Sequence, residues 1–244
     1  MKDTRARRSR SVSDVSRWAR VAGALFIVSI VAGGFGEGYA PSVLIATNDA
    51  AATAHNVIAS QAIFRLGFAT YLVEASGDLA LTAILYVLLR PVGRTIALIG
   101  ALFHVAATVV FAFGELFYFV PSLIVGGDAY LKSFTADQRD TLVLLSMNIY
   151  GLAGNMSLVF YGAGSIAFGY LMYQSGFLPR LLGVLLALGG VAFVLRTFTL
   201  VLVPALSSPL LQLPAVLALV ALGVWLVTRG VRQRSLEDVD RRQP

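Results

Sequence analysis

Six uninterrupted apolar runs of membrane-crossing length constrain this chain more than any other feature. A bilayer core about 30 Å thick takes roughly 20 apolar residues of helix to cross. Runs of that order stand at 18–35, 64–89, 95–119, 141–173, 181–203 and 210–227. Periodicity alone does not distinguish a span from a buried soluble helix, but six such runs in 244 residues do. Composition agrees, because only 13% of the residues are charged and 57% are hydrophobic, where a soluble protein draws on about 25% charged residues. The expected fold is all-α: a polytopic membrane protein with six transmembrane helices. A soluble enzyme, a coiled coil and a disordered chain are excluded.

The basic residues bunch at the edges of the runs. When Lys and Arg are counted on alternating sides, fifteen fall on one side. Only Lys132 and Arg139 fall on the other, while Arg65 and Arg196 lie inside spans. The positive-inside rule then predicts both termini in the cytoplasm. Residues 1–17 read as a basic, disordered cytoplasmic tail, 18–228 as a single six-helix transmembrane domain and 229–244 as a second cytoplasmic tail. The whole is a multi-pass protein of the bacterial inner (cytoplasmic) membrane. The first run is long for the core of a secretory signal, so it reads as a span. Since the positive charge marks topology, the net +6 does not point to nucleic acid. The expected partners are the lipid bilayer, anionic lipid met by the N-terminal tail at roughly 1 kcal/mol per basic residue, and a homo-oligomer or another membrane protein that the sequence does not specify. Cysteine is absent, which removes disulfides, thiolate metal sites and cysteine nucleophiles together, and no cofactor is called for.

The connections carry their own signals. Asn48 or Asp49 is placed to cap a short helix over 50–60 in the first outer loop. The third-to-fourth loop contains Gly126 and Gly127, then Thr135 and Gln138 at capping-box spacing, so the fourth helix should start near Asp137. The run 141–173 would measure roughly 50 Å as a helix and must protrude, tilt or bend. Pro179 suits the first positions of a helix, Arg180 marks a membrane edge, and Gly183 lets a neighbouring helix approach closely. Trp18, Tyr39, Tyr118, Tyr173 and Trp225 fit interfacial belts.

An ionisable side chain near the bilayer centre costs roughly 2.5–3.5 kcal/mol on insertion scales, so each one present calls for a partner or a wet cavity. Counting depth along each run places Glu74, Asn155 and Arg196 slightly outward of the midplane and Asp78 and His104 slightly inward. These five form an expected buried polar cluster, with Glu74–Arg196 and Asp78–His104 as pairs. Arg65, Glu115 and Asn148 stand nearer the outer edge. The cluster permits a small-solute or proton-linked transporter, for which intramembrane carboxylates are the usual mark. It equally permits a membrane scaffold or accessory subunit, since polar groups between spans also fix packing. A metal-assisted intramembrane enzyme ranks third, with no catalytic residue and no metal ligand assigned. Ser165, in Gly162-Ala-Gly-Ser165, has the small-residue setting of an intramembrane nucleophile. No histidine follows it in the chain, and Ser165-x-x-x-Gly169 reads as helix packing.

Three stretches carry a resemblance. They are Asp49-Ala-Ala-Ala-Thr-Ala-His-Asn-Val-Ile-Ala-Ser before Phe64-Arg65-Leu-Gly67, then Leu85-Tyr-Val-Leu-Leu-Arg-Pro91, and Ser175-Gly-Phe-Leu-Pro-Arg-Leu-Leu-Gly183-Val-Leu. Together they resemble the bacterial membrane proteins catalogued as domain of unknown function 4386, over roughly residues 20–200. The resemblance implies a six-helix membrane fold and brings no activity, substrate or catalytic residue with it.

Overall fold

In hydrocarbon every backbone polar group has to be satisfied within the protein, which leaves helices as the solution for runs like these. The computed structural model describes residues 2–126 and 129–231, without the side chains of residues 2–15, 130 and 209. Gly127 and the tail arginines Arg232, Arg234, Arg241 and Arg242 therefore lie outside the described residues. Helix α1, Lys2–Gly33, passes through a π-helical turn, Gly34–Tyr39, into α2, Ala40–Leu44. Then come α3, Ala50–Ala59; α4, Gln61–Leu89; α5, Arg94–Val125; α6, Ala136–Ser175; α7, Arg180–Leu202; and α8, Leu213–Thr228. Six stretches among the described residues are long and apolar enough to cross a membrane: Ser16–Leu44, Gln61–Leu89, Arg94–Val125, Ala136–Ser175, Arg180–Leu202 and Leu210–Thr228. Each expected run falls on one of them.

Two spans outrun their expected ends, for physical reasons. The first continues from Phe35 to Leu44 because the helix widens where it would otherwise break. Pro41 has no N–H to give, and the Ala40 N–H reaches back five residues to the Phe35 carbonyl. The third passes through Pro121 to Val125. A proline removes one helical bond without obliging the chain to leave the helix, and just beyond it the Ser122 hydroxyl donates to the Phe119 carbonyl at 2.7 Å.

The connections behave as their capping residues dictate. The Asp49 carboxylate accepts from the Ala52 N–H at 2.9 Å and starts α3, while Asn48 takes the left-handed conformation that precedes it (φ 60°). The Thr135 hydroxyl accepts from the Gln138 N–H at 3.3 Å and the Gln138 side chain accepts from the Thr135 N–H at 2.9 Å. This reciprocal box sets α6 off at Ala136, one residue before the expected start. At 40 residues the helix measures about 60 Å.

The chain divides into two compact units, Met1–Ile30 with Gly77–Ala107 and Leu158–Pro244, and Val31–Ser76 with Thr108–Ser157. In the first, Phe26, Leu81, Leu85, Phe168, Leu171 and Leu222 form the buried core. Its α6–α7 seam is built of facing glycines: Gly162 meets Gly190 and Gly169 meets Gly183, where an added Cβ would come within 2.6 Å of the opposing carbonyl. Gly183 therefore does what its spacing predicted. Pro179 precedes the first turn of α7, and the Arg180 guanidinium sits 5.6 Å from the Tyr173 ring centroid. In the second unit, Leu44, Ala54, Val57, Phe64, Tyr118, Met147 and Tyr150 form the core.

Large apolar side chains such as Leu102, Val109, Phe113 and Leu116 point outward from α5 while Glu115 and Tyr118 are buried. That inversion of the soluble pattern is what lipid contact requires. Trp18, Tyr39 and Tyr173 are exposed as interfacial residues would be, but Tyr118 is buried and does not belong to a belt.

Candidate functional site

The intramembrane polar groups fall into two sets, one in each unit, and hydroxyl partners that the apolar runs conceal organise the first.

In the first unit Asp78, on α4, accepts a 2.8 Å hydrogen bond from the Ser29 hydroxyl of α1. His104, on α5, lies 3.3 Å from the Ser165 hydroxyl of α6, and both residues are buried. The imidazole also hydrogen-bonds the Tyr161 backbone and stacks on the Tyr161 ring, with centroids 4.3 Å apart. Gly164 makes room for it, because a Cβ there would run into the imidazole edge and come within 2.8 Å of the Gly100 carbonyl. Asp78 and His104 thus each pair with a serine rather than with one another, since a short hydroxyl from a neighbouring helix satisfies each at lower cost than bringing two long side chains together. Chain order misled the reading of Ser165: the histidine beside it precedes it, and nothing in the geometry of a Ser–His contact fixes which comes first. Arg196, on α7, is half-buried, and its Nε is enclosed without a hydrogen-bond partner among the described residues.

The second unit holds both carboxylates and tyrosines within its spans. Tyr71 and Glu74 stand three residues apart on α4, and Glu115 and Tyr118 three apart on α5, so each helix presents a Tyr and a Glu on one face. Glu74 lies over Gly33, where a Cβ would come 2.8 Å from its carboxylate oxygen. Gly114 packs against Ala153 of α6, which brings α5 close to the helix bearing Tyr150. Glu37 stands on the π-helical turn of the same unit.

The Tyr118 hydroxyl donates to the Phe64 carbonyl at 3.0 Å, in the gap left by the missing side chain of Gly67. Glu115 is 3% exposed, Tyr71 6% and Tyr150 5%, and none of the three makes a side-chain hydrogen bond among the described residues. The rings interlock: Phe64 stacks on Tyr118 at 4.9 Å, Phe111 meets Tyr71 edge-on at 5.0 Å, and Tyr118 meets Tyr150 edge-on at 5.1 Å.

The family model described as domain of unknown function (DUF4386) matches residues 21–230. The chain belongs to that family. No curated protein and no solved structure matches it. The match takes in every polar group of this family member described above, from Ser29 to Arg196.

The remaining sequence candidates are Arg65, Asn148 and Asn155. Arg65 and Asn148 are exposed, and the Asn155 amide donates to the Gly151 carbonyl of its own helix at 2.7 Å. Sequence reasoning missed Ser29, Glu37, Tyr71 and Tyr150 as members of the polar sets. The signal for Tyr71 was available in the Tyr/Glu spacing shared by α4 and α5. Among the described residues no three His, Asp or Glu side chains converge as a metal ion would need.

Proposed function

We propose that this chain is a multi-pass protein of the bacterial cytoplasmic membrane, with both termini in the cytoplasm, that carries a small solute or protons across the bilayer. In this reading the basic segment 1–17 holds the orientation and touches anionic lipid, 18–228 is the transmembrane domain and 229–244 a cytoplasmic tail. The working groups are the intramembrane carboxylates, Glu115 and Glu74 foremost. The wider set read from the sequence comprises Asp78, His104, Asn155 and Arg196.

One observation carries the reading. Glu115 is 97% enclosed, since only 3% of it is exposed, and it has no hydrogen bond or ion pair among the described residues. A carboxylate used only for packing would be expected to have one, because polar groups fix packing between membrane helices by bonding across the seam. A group that exchanges partners during a transport cycle has a reason to stand free in one state.

The test is purified protein in sealed vesicles, with proton movement followed by an internal pH dye and solute uptake by isotope. Flux should appear in the wild type, and Glu115→Gln should reduce it at least tenfold while the protein stays folded. A folded Glu115→Gln with undiminished flux would remove Glu115 from the mechanism, and absence of any flux from the wild type would sink the transport reading.

A scaffold reading has its own observation in the first unit. Ser29–Asp78 and His104–Ser165 are short contacts between helices, the form that polar packing devices take in membranes. If no flux is found and a copurifying membrane protein is lost on Asp78→Asn, that reading wins.

A further inference from the structure

We propose that two turns at one end of the first unit, 90–94 and 176–180, hold the phosphate of an anionic phospholipid among the guanidinium groups of Arg90, Arg94 and Arg180. The inference goes beyond the lipid contact proposed for the segment 1–17, and it stands whether or not the chain moves a solute.

The two turns join α4 to α5 and α6 to α7, and packing sets them side by side. Leu89, Ala97, Leu171, Met172, Phe177 and Leu178 belong to one buried cluster, and a Cβ on Gly93 would come 2.9 Å from the Leu171 side chain. With the apolar residues turned inward, the arginines are left outside: Arg90, Arg94 and Arg180 are all exposed. The Arg180 guanidinium sits 5.6 Å from the centroid of the exposed Tyr173 ring, a contact that steadies its planar fork.

Among the described side chains of this unit Asp78 is the one acidic residue. It stands twelve residues before Arg90 along α4, about 18 Å away. The same end instead adds three further exposed arginines, Arg17, Arg20 and Arg229. Arg229 precedes Gly230, where a Cβ would lie 3.9 Å from the Arg20 Nε, and Ala19 and Val231 join the buried cluster beneath. Like charges gathered in this way repel one another, and an anion among them relieves the repulsion.

Two features identify the anion. Arginine is used at all six positions, although a charge that only sets membrane orientation works as well from lysine. What arginine alone offers is a fork that pairs two N–H donors with two phosphate oxygens. Depth supplies the other feature. The turns close apolar spans, and Trp18 and Tyr173 at this end are 53% and 45% exposed, as aromatic residues at the head-group level are. Basic clusters between helices at that level take acidic lipid head groups.

Thermal unfolding of the full chain in an uncharged detergent tests this, titrated with dioctanoylphosphatidylglycerol, dioctanoylphosphatidylcholine or glycerol phosphate. The phosphatidylglycerol should raise Tm saturably. Phosphatidylcholine, whose ammonium cancels the phosphate charge, should not, and glycerol phosphate, which lacks the acyl chains, should bind about tenfold more weakly or less. Arg90→Lys, Arg94→Lys and Arg180→Lys made together keep every charge and hence the orientation, yet should weaken the affinity for phosphatidylglycerol about tenfold. Arg17→Lys with Arg20→Lys should leave it within about twofold. Should the triple variant fail to fold, Arg94→Lys and Arg180→Lys made singly decide the matter, each weakening binding about threefold.

An equal shift with phosphatidylcholine, or unchanged affinity in the folded variants of the two turns, overturns the inference. Equal affinity for glycerol phosphate would make the occupant a soluble anion and remove the lipid. Binding lost on Arg17→Lys with Arg20→Lys alone would assign the lipid to the N-terminal segment instead of these turns.

Discussion

Gly164 shows how tightly a single residue is held to its task. In a helix, alanine is ordinarily better than glycine by about 1 kcal/mol, so Gly164→Ala should stabilise α6 if nothing else intervened. The imidazole of His104 and the carbonyl of Gly100 do intervene, and overpacking typically costs about 1–3 kcal/mol. The clash should win. Gly164→Ala is expected to lower Tm in detergent, and the same change in a His104→Ala background should cost less, because part of the obstruction has gone. Equal losses in both backgrounds would show that the imidazole does not lie against this glycine. At this scale the sequence was legible where charge interrupts an apolar run, as at Glu74, Asp78, His104 and Glu115. It was illegible where the partner is a hydroxyl. A serine such as Ser29 looks harmless inside a span, because its hydroxyl can bond a carbonyl of its own helix, and nothing in the letters says that it reaches Asp78 instead.

Capping residues set where the elements begin, and apolar length sets that they exist. Asp49 holds the first turn of α3 through the Ala52 N–H, so Asp49→Ala should cost about 1 kcal/mol and Asp49→Asn only a fraction of that. Faster hydrogen exchange at the first amides of α3 in the alanine variant would register the loss. Unchanged exchange there would mean that the helix start is held by the Thr53 hydroxyl, which donates to the Asp49 carbonyl at 2.8 Å. The spans, the Asp49 cap and the Thr135–Gln138 box were readable because each is a local pattern with a local cause. The π-helical turn at Gly34–Tyr39 was not. Its glycines and Glu37 read as the end of a span, and the widened turn exists only because the helix continues through Pro41 to Leu44. The extension of α5 past Pro121 escaped notice for the same reason: proline marks a lost bond, and whether the helix survives it depends on what lies beyond.

For the molecule as a whole, the charge distribution predicts the sidedness that any transport scheme needs. Single cysteines introduced into this cysteine-free chain should react with an impermeant reagent from outside at Asp49 and Asp137, and should be protected at Arg94 and Gly176. External labelling at Arg94 would overturn the six-span alternation. The division into two units was not legible in the sequence, since the chain leaves one unit for the other inside α1, α4, α5 and α6 rather than at a linker. Composition does not change at those points, and only three-dimensional contact reveals them. The division also fixes an order in time. The last residue of the second unit is Ser157, so Glu37, Tyr71, Glu74, Glu115 and Tyr150 have all been synthesised before translation reaches α7. The first unit is still open then, lacking the glycines of α7 that face Gly162 and Gly169. Every residue of the second unit is therefore translated before the α7 glycines that close the α6–α7 seam of the first.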